Sequence, residues 1–540
     1  MTALADFIIL SHGWRRALLL IGAGGVTALS TPPLFIVPAL FVGLPALIWA
    51  LDGAERRKGL CWRIFGPAFG IGFWFGLGYF AVSLHWLGFA FSVDGGWLLA
   101  LMPFALLALS SVLALFWGLG TAAAHLFWSE GVGRVLALAS CLGLAEFARG
   151  HLFTGLPFDL LGYALTPNVE MMQATSLVGV YGLTFAAIFV GATPALVWPH
   201  TERRLFRRTI PLLATAALLT LQYGWGYLRV TSTPIDQRPD MVVRIVQPAV
   251  PQDLKWQASA REEIVAGLLA LSTAGSSEIG ASGLQGITHL VWPEAALPFF
   301  LFEEPEYLAR IARALPDGLI LLTGAPRQPF SMDSSATGKP YNSVLAIDSS
   351  GEMISSYDKT HLVPFGEYLP FQDQLARFGF RQLVAGDDGW AAGEARRIMS
   401  LPGTPSILPL ICYEAAFSGG LGTVVRDAEL LVVLTNDAWF DGSVGLEKLF
   451  HHARIRAVEE GLPMIRAANS GVSAVINPLG AIESRLGGRE IGAIDASPTY
   501  PLPATMFARY GNLPFLVLCI LGICLAAVGY HQERRNRRKL

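Results

Sequence analysis

Residues 1–226 are dominated by apolar runs joined by short polar links, and this restricts the fold of the chain more than any other feature. About 20 apolar residues match the ~30 Å hydrocarbon core of a bilayer, where the backbone must satisfy its own hydrogen bonds as helix. Runs fall near residues 17–28, 34–51, 64–91, 97–127, 135–147, 177–198 and 210–225, and another near 513–530. Charged residues are only 15% of the chain, against roughly 25% in an ordinary soluble protein. The expectation is an α-helical polytopic membrane domain of about eight transmembrane helices, seven of them in residues 1–227. Residues 17–30, after Arg15 and Arg16, mimic a secretory signal, but the spans that follow at once favour an uncleaved first helix.

Basic residues set the expected orientation. Arg15 and Arg16 precede the first run; Arg56, Arg57, Lys58 and Arg63 separate the second and third. Arg134 follows the fourth, and Arg203, Arg204, Arg207 and Arg208 separate the sixth and seventh. The tail carries Arg534, Arg535, Arg537, Arg538 and Lys539, whereas the loops near Thr31 and 92–96 have no Lys or Arg. This alternation predicts cytoplasmic termini and places residues 228–505 on the outer face; residues 506–540 form the last span and a basic tail. One outer loop departs from the pattern. Glu146 and Arg149 lead into an apolar Gly/Pro-rich stretch, residues 150–164, that reads as a re-entrant segment. The Glu-Arg spacing reads equally as a functional pair within the membrane or an intrahelical ion pair.

Residues 228–505 have a different texture. Short β-branched runs at 241–246, 287–292, 319–323, 344–347, 353–357, 407–411, 430–435, 472–476 and 481–484 read as strands. Helical patterns at 260–271, 307–315 and 446–459 alternate with them, which predicts an α/β domain. Net charge of −2 gives no footprint for nucleic acid. The five cysteines lack C-x-x-C spacing and no Gly-rich phosphate loop occurs, so no metal or cofactor is expected. His451 and His452 are adjacent on a predicted helix and cannot share a face.

Three apolar strands end in a reactive side chain, the place where open α/β sheets put their chemistry. They present Glu294 in HLVWPEAALP, Lys359 and Glu367 in SSYDKTHLVPFGEYLP, and Cys412 in PLICYEAAF. A buried thiol needs a base, and a tetrahedral oxyanion needs a cation or N–H donor. Glu, Lys and Cys together would run acyl transfer through a thioester. Taken singly, Glu294 also reads as a surface carboxylate, Lys359 as a solvated cation and Cys412 as a small buried hydrophobe.

WPE, YDKTHLVPFGEYLP and ICYE resemble the three catalytic motifs of the nitrilase superfamily, which implies an αββα sandwich. The long form KTHLVPFGEYLP, preceded by several spans and followed by one, resembles the apolipoprotein N-acyltransferase family of the bacterial cytoplasmic (inner) membrane. The stretch EFARG…TGLPFDLLGYA is also similar to that family. The resemblance implies Glu294 as general base, Lys359 as oxyanion stabiliser, Cys412 as nucleophile and Glu367 as a supporting glutamate. It gives Tyr413 and Glu414 as the pair after the cysteine, with the Tyr413 N–H a second oxyanion donor, and Trp256 a part in substrate access. NDAWF at 436–440, Arg466 and Asn469 also fit, with architectural parts. The implied substrates are a phospholipid acyl donor such as phosphatidylethanolamine and a diacylated apolipoprotein acceptor, both held by the lipid bilayer. Phe299, Phe300, Leu301 and Phe302 are expected to line an apolar entrance. Two other readings use the same sequence: a membrane-tethered hydrolase of small amides, and a transporter or channel with a non-catalytic outer domain.

Overall fold

The computed structural model describes residues 2–55, 59, 64–95, 98–197, 205–274, 283–329, 338–369 and 389–539. Arg56, Arg57, Lys58, Arg63, Arg203 and Arg204, on which part of the orientation argument rests, lie outside the described residues, as do Trp97 and Trp198. The chain divides into two compact units, residues 1–233 with 509–540, and residues 234–508.

The first unit is helical. Among the described residues four helices are long and apolar enough to cross a membrane: Leu99–Leu126, Val132–Thr154, Thr175–Leu196 and Leu513–Lys539. A fifth candidate is Pro67–Ser83 with His85–Val93, bent by 51° at the break, where an unbroken span was expected over 64–91. The expected count of about eight is not reached by this criterion. Gly13–Ala28 and Leu40–Asp52 have 16 and 13 residues, which at 1.5 Å per residue fall short of the ~30 Å core. Leu205–Ser232 is long but interrupted by Pro211 and polar near its end. A short helix, Thr2–Leu10, precedes them all.

Glu146 and Arg149 form a buried pair one turn apart, Arg149 Nη2 to Glu146 Oε2 at 2.7 Å. The pair does more than hold a helix. Arg149 also donates to the carbonyls of Leu156 and Phe158, and Trp117 Nε1 donates to Glu146 Oε1 at 2.6 Å. Tyr79 Oη donates to the Asp159 carbonyl at 2.6 Å. The carbonyls of Leu156, Phe158 and Asp159 in this irregular stretch are thus satisfied by protein donors, as apolar surroundings require.

Among its described residues the second unit has eleven strands: β1 Val243–Gln247, β2 His289–Val291, β3 Ile320–Arg327, β4 Tyr341–Ile347, β5 Met353–Asp358, β6 Ile407–Ile411, β7 Leu430–Thr435, β8 Met464–Ala468, β9 Ser473–Ile476, β10 Ile482–Leu486 and β11 Gly492–Ala496. They form a six-stranded sheet ordered β11-β1-β2-β3-β4-β5 and a five-stranded sheet ordered β10-β9-β8-β7-β6. β1, β2 and β3 run parallel; β4 is antiparallel to both β3 and β5, which makes β5 point the same way as β3. β6, β7 and β8 are parallel.

Alternation builds the layers. Leu430, Val432 and Leu434 of β7 enter the core shared with Val243, Ile245 and Val291 of the other sheet. Their neighbours Leu431 and Val433 pack outward with Phe450, Ala453 and Ala457 of the helix Gly445–Glu460. On the far side, Leu290, Leu321 and Leu345 pack with Ile264 and Leu268 of the helix Arg261–Thr273 and Ile311 of Pro305–Ala314. Strands buried on both faces read as continuous apolar runs, which is why 407–411 and 430–435 are evident in the sequence. The result is the expected αββα sandwich. β8 and β11 are not evident because each is a short run holding alanines and a charge, Arg466 or Asp495, where a β-branched run would mark a strand. Both charges are buried and paired: Arg466 to Asp437 at 2.5 Å, and Asp495 to Arg244 at 2.6 Å.

Candidate active site

The C-terminal ends of β2 and β5 in one sheet and of β6 and β7 in the other deliver the candidate residues. Glu294 stands three residues beyond β2, Lys359 directly after β5, Cys412 directly after β6 and Asn436 directly after β7. Asn342, at the start of the antiparallel β4, arrives at the same end. Two non-glycine residues here hold left-handed backbones, Ala295 with φ +45° and Cys412 with φ +50°. Such a conformation costs about 1–3 kcal/mol and persists only where surroundings impose it. Beside Ala295, β3 passes close: a Cβ on Gly324 would come within 2.6 Å of the Glu294 Cα. Only glycine lets β3 approach the turn this closely.

Glu294, Lys359 and Glu367 are nearly inaccessible to solvent. Lys359 Nζ lies 3.4 Å from Glu294 Oε1 and 2.8 Å from Glu367 Oε1. Asn342 Nδ2 donates to both glutamates, at 2.8 Å to Glu294 Oε1 and 3.0 Å to Glu367 Oε1. The Asn436 backbone N–H donates to Glu294 Oε2 at 2.7 Å, and the Val363 N–H to Glu367 Oε2 at 2.8 Å. Both carboxylates are therefore fixed at each oxygen.

Burial alone would discharge Lys359, but Glu367 and then Glu294 outweigh it and raise the pKa above the ordinary lysine value. Lys359 is therefore a permanent cation. Burial first, and the Glu294 charge second, push the Cys412 thiol above its usual value; Lys359 and the Thr435 side chain pull the other way without prevailing. The resting sulfur is a thiol. Attack by this sulfur would require the proton to leave, and Glu294 and Lys359 are the charged groups that act on it most strongly.

The supporting residues separate into two groups. Glu367 belongs to the charge cluster. Glu414 is fully buried and braces the turn instead: its Oε2 accepts the Ile411 N–H at 2.8 Å. Its Oε1 accepts from Thr360 Oγ1 at 2.7 Å and from the Thr360 N–H at 3.0 Å, and Tyr357 Oη donates at 2.9 Å. It thus ties the backbone after Lys359 to the backbone before Cys412. The Tyr413 ring packs edge-on against Phe417, centroids 4.9 Å apart, and near His361. Trp256 lies beside Trp390, centroids 6.0 Å apart, with no hydrogen bond to the charge cluster.

NDAWF does more than shape a loop, because Asn436 holds the Glu294 carboxylate. Arg466 and Asn469 are architectural, as expected. Arg466 pairs with Asp437 at 2.5 Å. Asn469 Nδ2 donates to the Val250 carbonyl at 2.8 Å and to Asn436 Oδ1 at 3.1 Å. His451 and His452 are buried in the helix Gly445–Glu460, and burial lowers the His451 pKa to about 3. Among the described residues no group of three or more His, Cys, Asp or Glu could hold a metal. The expected entrance needs correction. Phe299 and Leu301 belong to the core between sheet and outer helices, and of the four residues only Phe302 is exposed. Other exposed apolar side chains near the cluster are Leu254 and Phe365, the latter between Lys359 and Glu367.

Asn342, Lys255 and Trp390 are absent from the sequence expectation. An asparagine opening a strand carries no signal by type. Lys255 immediately precedes Trp256, and only its burial distinguishes it from a surface lysine.

Residues 23–193 match the model of the apolipoprotein N-acyltransferase N-terminal domain, and residues 243–499 match that of carbon-nitrogen hydrolases. Over 96% of both chains the sequence is 41% identical to an apolipoprotein N-acyltransferase of Bradyrhizobium diazoefficiens. It is 39% identical over 97% of both chains to one of Rhodopseudomonas palustris, and 42% identical over 92% of both to one of Agrobacterium fabrum. With both domain models in sequence order and full-length relatives at this identity, the chain belongs to the apolipoprotein N-acyltransferase family.

Proposed function

We propose that the protein moves an acyl chain from a membrane phospholipid, through a thioester on Cys412, to the α-amino group of the diacylglyceryl-cysteine that begins an apolipoprotein. The observation that carries this reading is the meeting of Glu294 and Lys359, 3.4 Å apart, both acting on the Cys412 thiol. Glu294 takes the thiol proton as sulfur attacks the ester carbonyl. The oxyanion forms against the Lys359 ammonium and the Tyr413 backbone N–H. The intermediate collapses, the ester C–O bond breaks, and Glu294 returns the proton to the departing lysophospholipid. The acceptor amine then attacks the thioester carbonyl and gives a proton to Glu294, and the C–S bond breaks. The amide product leaves and the thiol is restored by that proton. Glu367 holds Lys359 charged throughout, and Glu414 holds the turn.

The donor is taken to be phosphatidylethanolamine and the acceptor a diacylated lipoprotein, both confined to a membrane. The exposed Leu254, Phe302 and Phe365 suit lipid chains better than a small amide. Residues 228–505 are assigned to the periplasmic face and both termini to the cytoplasm, from the alternation of basic loops. Protease added to sealed right-side-out vesicles should then cut this domain; cleavage only in inverted vesicles would reverse the orientation. The activity itself is tested with purified protein, labelled phosphatidylethanolamine and a diacylated lipopeptide. Acylated lipopeptide is expected, and is lost in Cys412→Ala. Fatty acid released to water, or hydrolysis of small amides without lipopeptide acylation, would instead establish a hydrolase.

A further inference from the structure

Lys255 is a buried lysine that the mechanism above does not use. It is 1% exposed, and among the described residues it forms no ion pair. Its Nζ donates to the backbone carbonyl of Glu294 at 3.0 Å, immediately before the left-handed Ala295. Residues 250–256, which carry it, are anchored around the cluster at other points. The Gln252 side chain accepts from Asn436 Nδ2 at 2.7 Å, and the Val250 N–H donates to Asn469 Oδ1 at 3.2 Å. Trp256 follows directly and lies beside Trp390, whose backbone N–H donates to the Glu367 carbonyl at 3.0 Å. Of these anchors, Lys255 is the one that grips Glu294 itself.

A lysine inside a protein is expensive unless its position is used. The turn at Ala295 is strained, with β3 close against it at Gly324, and Lys255 is the side chain that ties its Glu294 carbonyl. We propose that Lys255 is a positioning residue for Glu294: held to the Glu294 carbonyl, it fixes the strained turn and with it the direction in which the carboxylate meets the Cys412 proton. The inference rests on Cys412 as nucleophile and Glu294 as base. Burial lowers the Lys255 pKa to about 7, with the charges of Glu294 and Cys412 opposing the change. Those two are the titrating groups acting on Lys255, while Lys359 engages the Glu294 carboxylate. The titration of Lys255 is thereby brought toward neutrality.

The test uses full-length protein in detergent. Cys412 alkylation by iodoacetamide, followed by peptide mass spectrometry, and acyl-enzyme formation from phosphatidylethanolamine are measured from about pH 5.5 to about 9. Lys255→Met should slow both about 10- to 100-fold, the scale of a misplaced catalytic group, with KM for phospholipid unchanged. Lys255→Arg keeps the donor and should recover most of the rate. The wild-type inflection near pH 7 should vanish in both variants. Wild-type rate and profile in Lys255→Met would overturn the inference, as would a loss confined to KM or one that arginine does not restore. If Lys255→Met does not fold, Lys255→Arg decides: a retained inflection overturns the inference. A wild-type protein that forms no Cys412 adduct refutes the functional reading instead, which separates the two failures.

Discussion

Glu367→Gln tests the electrostatics of the cluster at one atom. The substitution keeps size and shape but removes the nearer of the two charges that hold Lys359, 2.8 Å away against 3.4 Å for Glu294. At an effective dielectric of about 20 these separations correspond to gross attractions of about 6 and about 5 kcal/mol. Without Glu367 more than half of that attraction is gone. Lys359 must then draw on Glu294, occupying the carboxylate needed as base, or lose its proton. The glutamine amide would also turn an N–H against the Val363 N–H that now donates to Glu367 Oε2. Breaking a buried pair costs about 3–5 kcal/mol, and Glu294 remains as a partner, so the lower end applies. About 3 kcal/mol in the transition state is about 10²-fold in rate. The assay is the single-turnover rate of Cys412 acylation by phosphatidylethanolamine, with the melting transition as a control on folding. A variant acylated within about threefold of wild type would refute the claim that Glu367 sustains the Lys359 charge.

Gly324→Ala puts a methyl group within 2.6 Å of the Glu294 Cα, and should cost about 10²-fold in acylation with phospholipid KM unchanged. Asp495→Asn leaves Arg244 buried without its charge partner, and should destabilise residues 234–508 by about 3 kcal/mol or more in denaturant titration. His289 is held neutral by burial, its pKa lowered to about 4. The unfolded chain takes up its proton below about 6.5 and the folded chain does not, so this stability is complete above that pH and is lost as pH falls toward about 4. The contribution between pH 7 and 5 is about 2 kcal/mol, and His289→Gln should flatten that part of the stability-against-pH curve.

The sequence made the candidate residues legible because strand ends and motif spacing coincide: Glu294 and Cys412 follow apolar strands, and Lys359 follows the half-buried β5. The strands themselves are legible where both faces are buried. β8 and β11, short and poor in β-branched residues, are not, and their charges give no local sign of burial, because an ion pair such as Arg244–Asp495 forms across 251 residues of sequence. Asn342 and Lys255 escaped for the same reason. Each acts through a partner brought near only by the fold, Asn342 across two glutamates and Lys255 on a carbonyl. The roles of Phe299 and Leu301 were misjudged because an apolar residue after a reactive one looks alike whether it faces a substrate or a core. In the helical unit the apolar runs are evident, but span length is not. A bend breaks a run that composition alone joins, as at Leu84 between Ser83 and His85.

The central claim is that the acyl chain passes through the Cys412 sulfur. Wild-type protein incubated with phosphatidylethanolamine alone, digested and analysed by mass spectrometry, should carry one acyl chain as a hydroxylamine-labile thioester on the peptide containing Cys412. Adding a diacylated lipopeptide should remove that adduct and place the chain on the lipopeptide amine at a matching rate. An adduct on another residue, or lipopeptide acylation that persists in Cys412→Ala, would contradict the account.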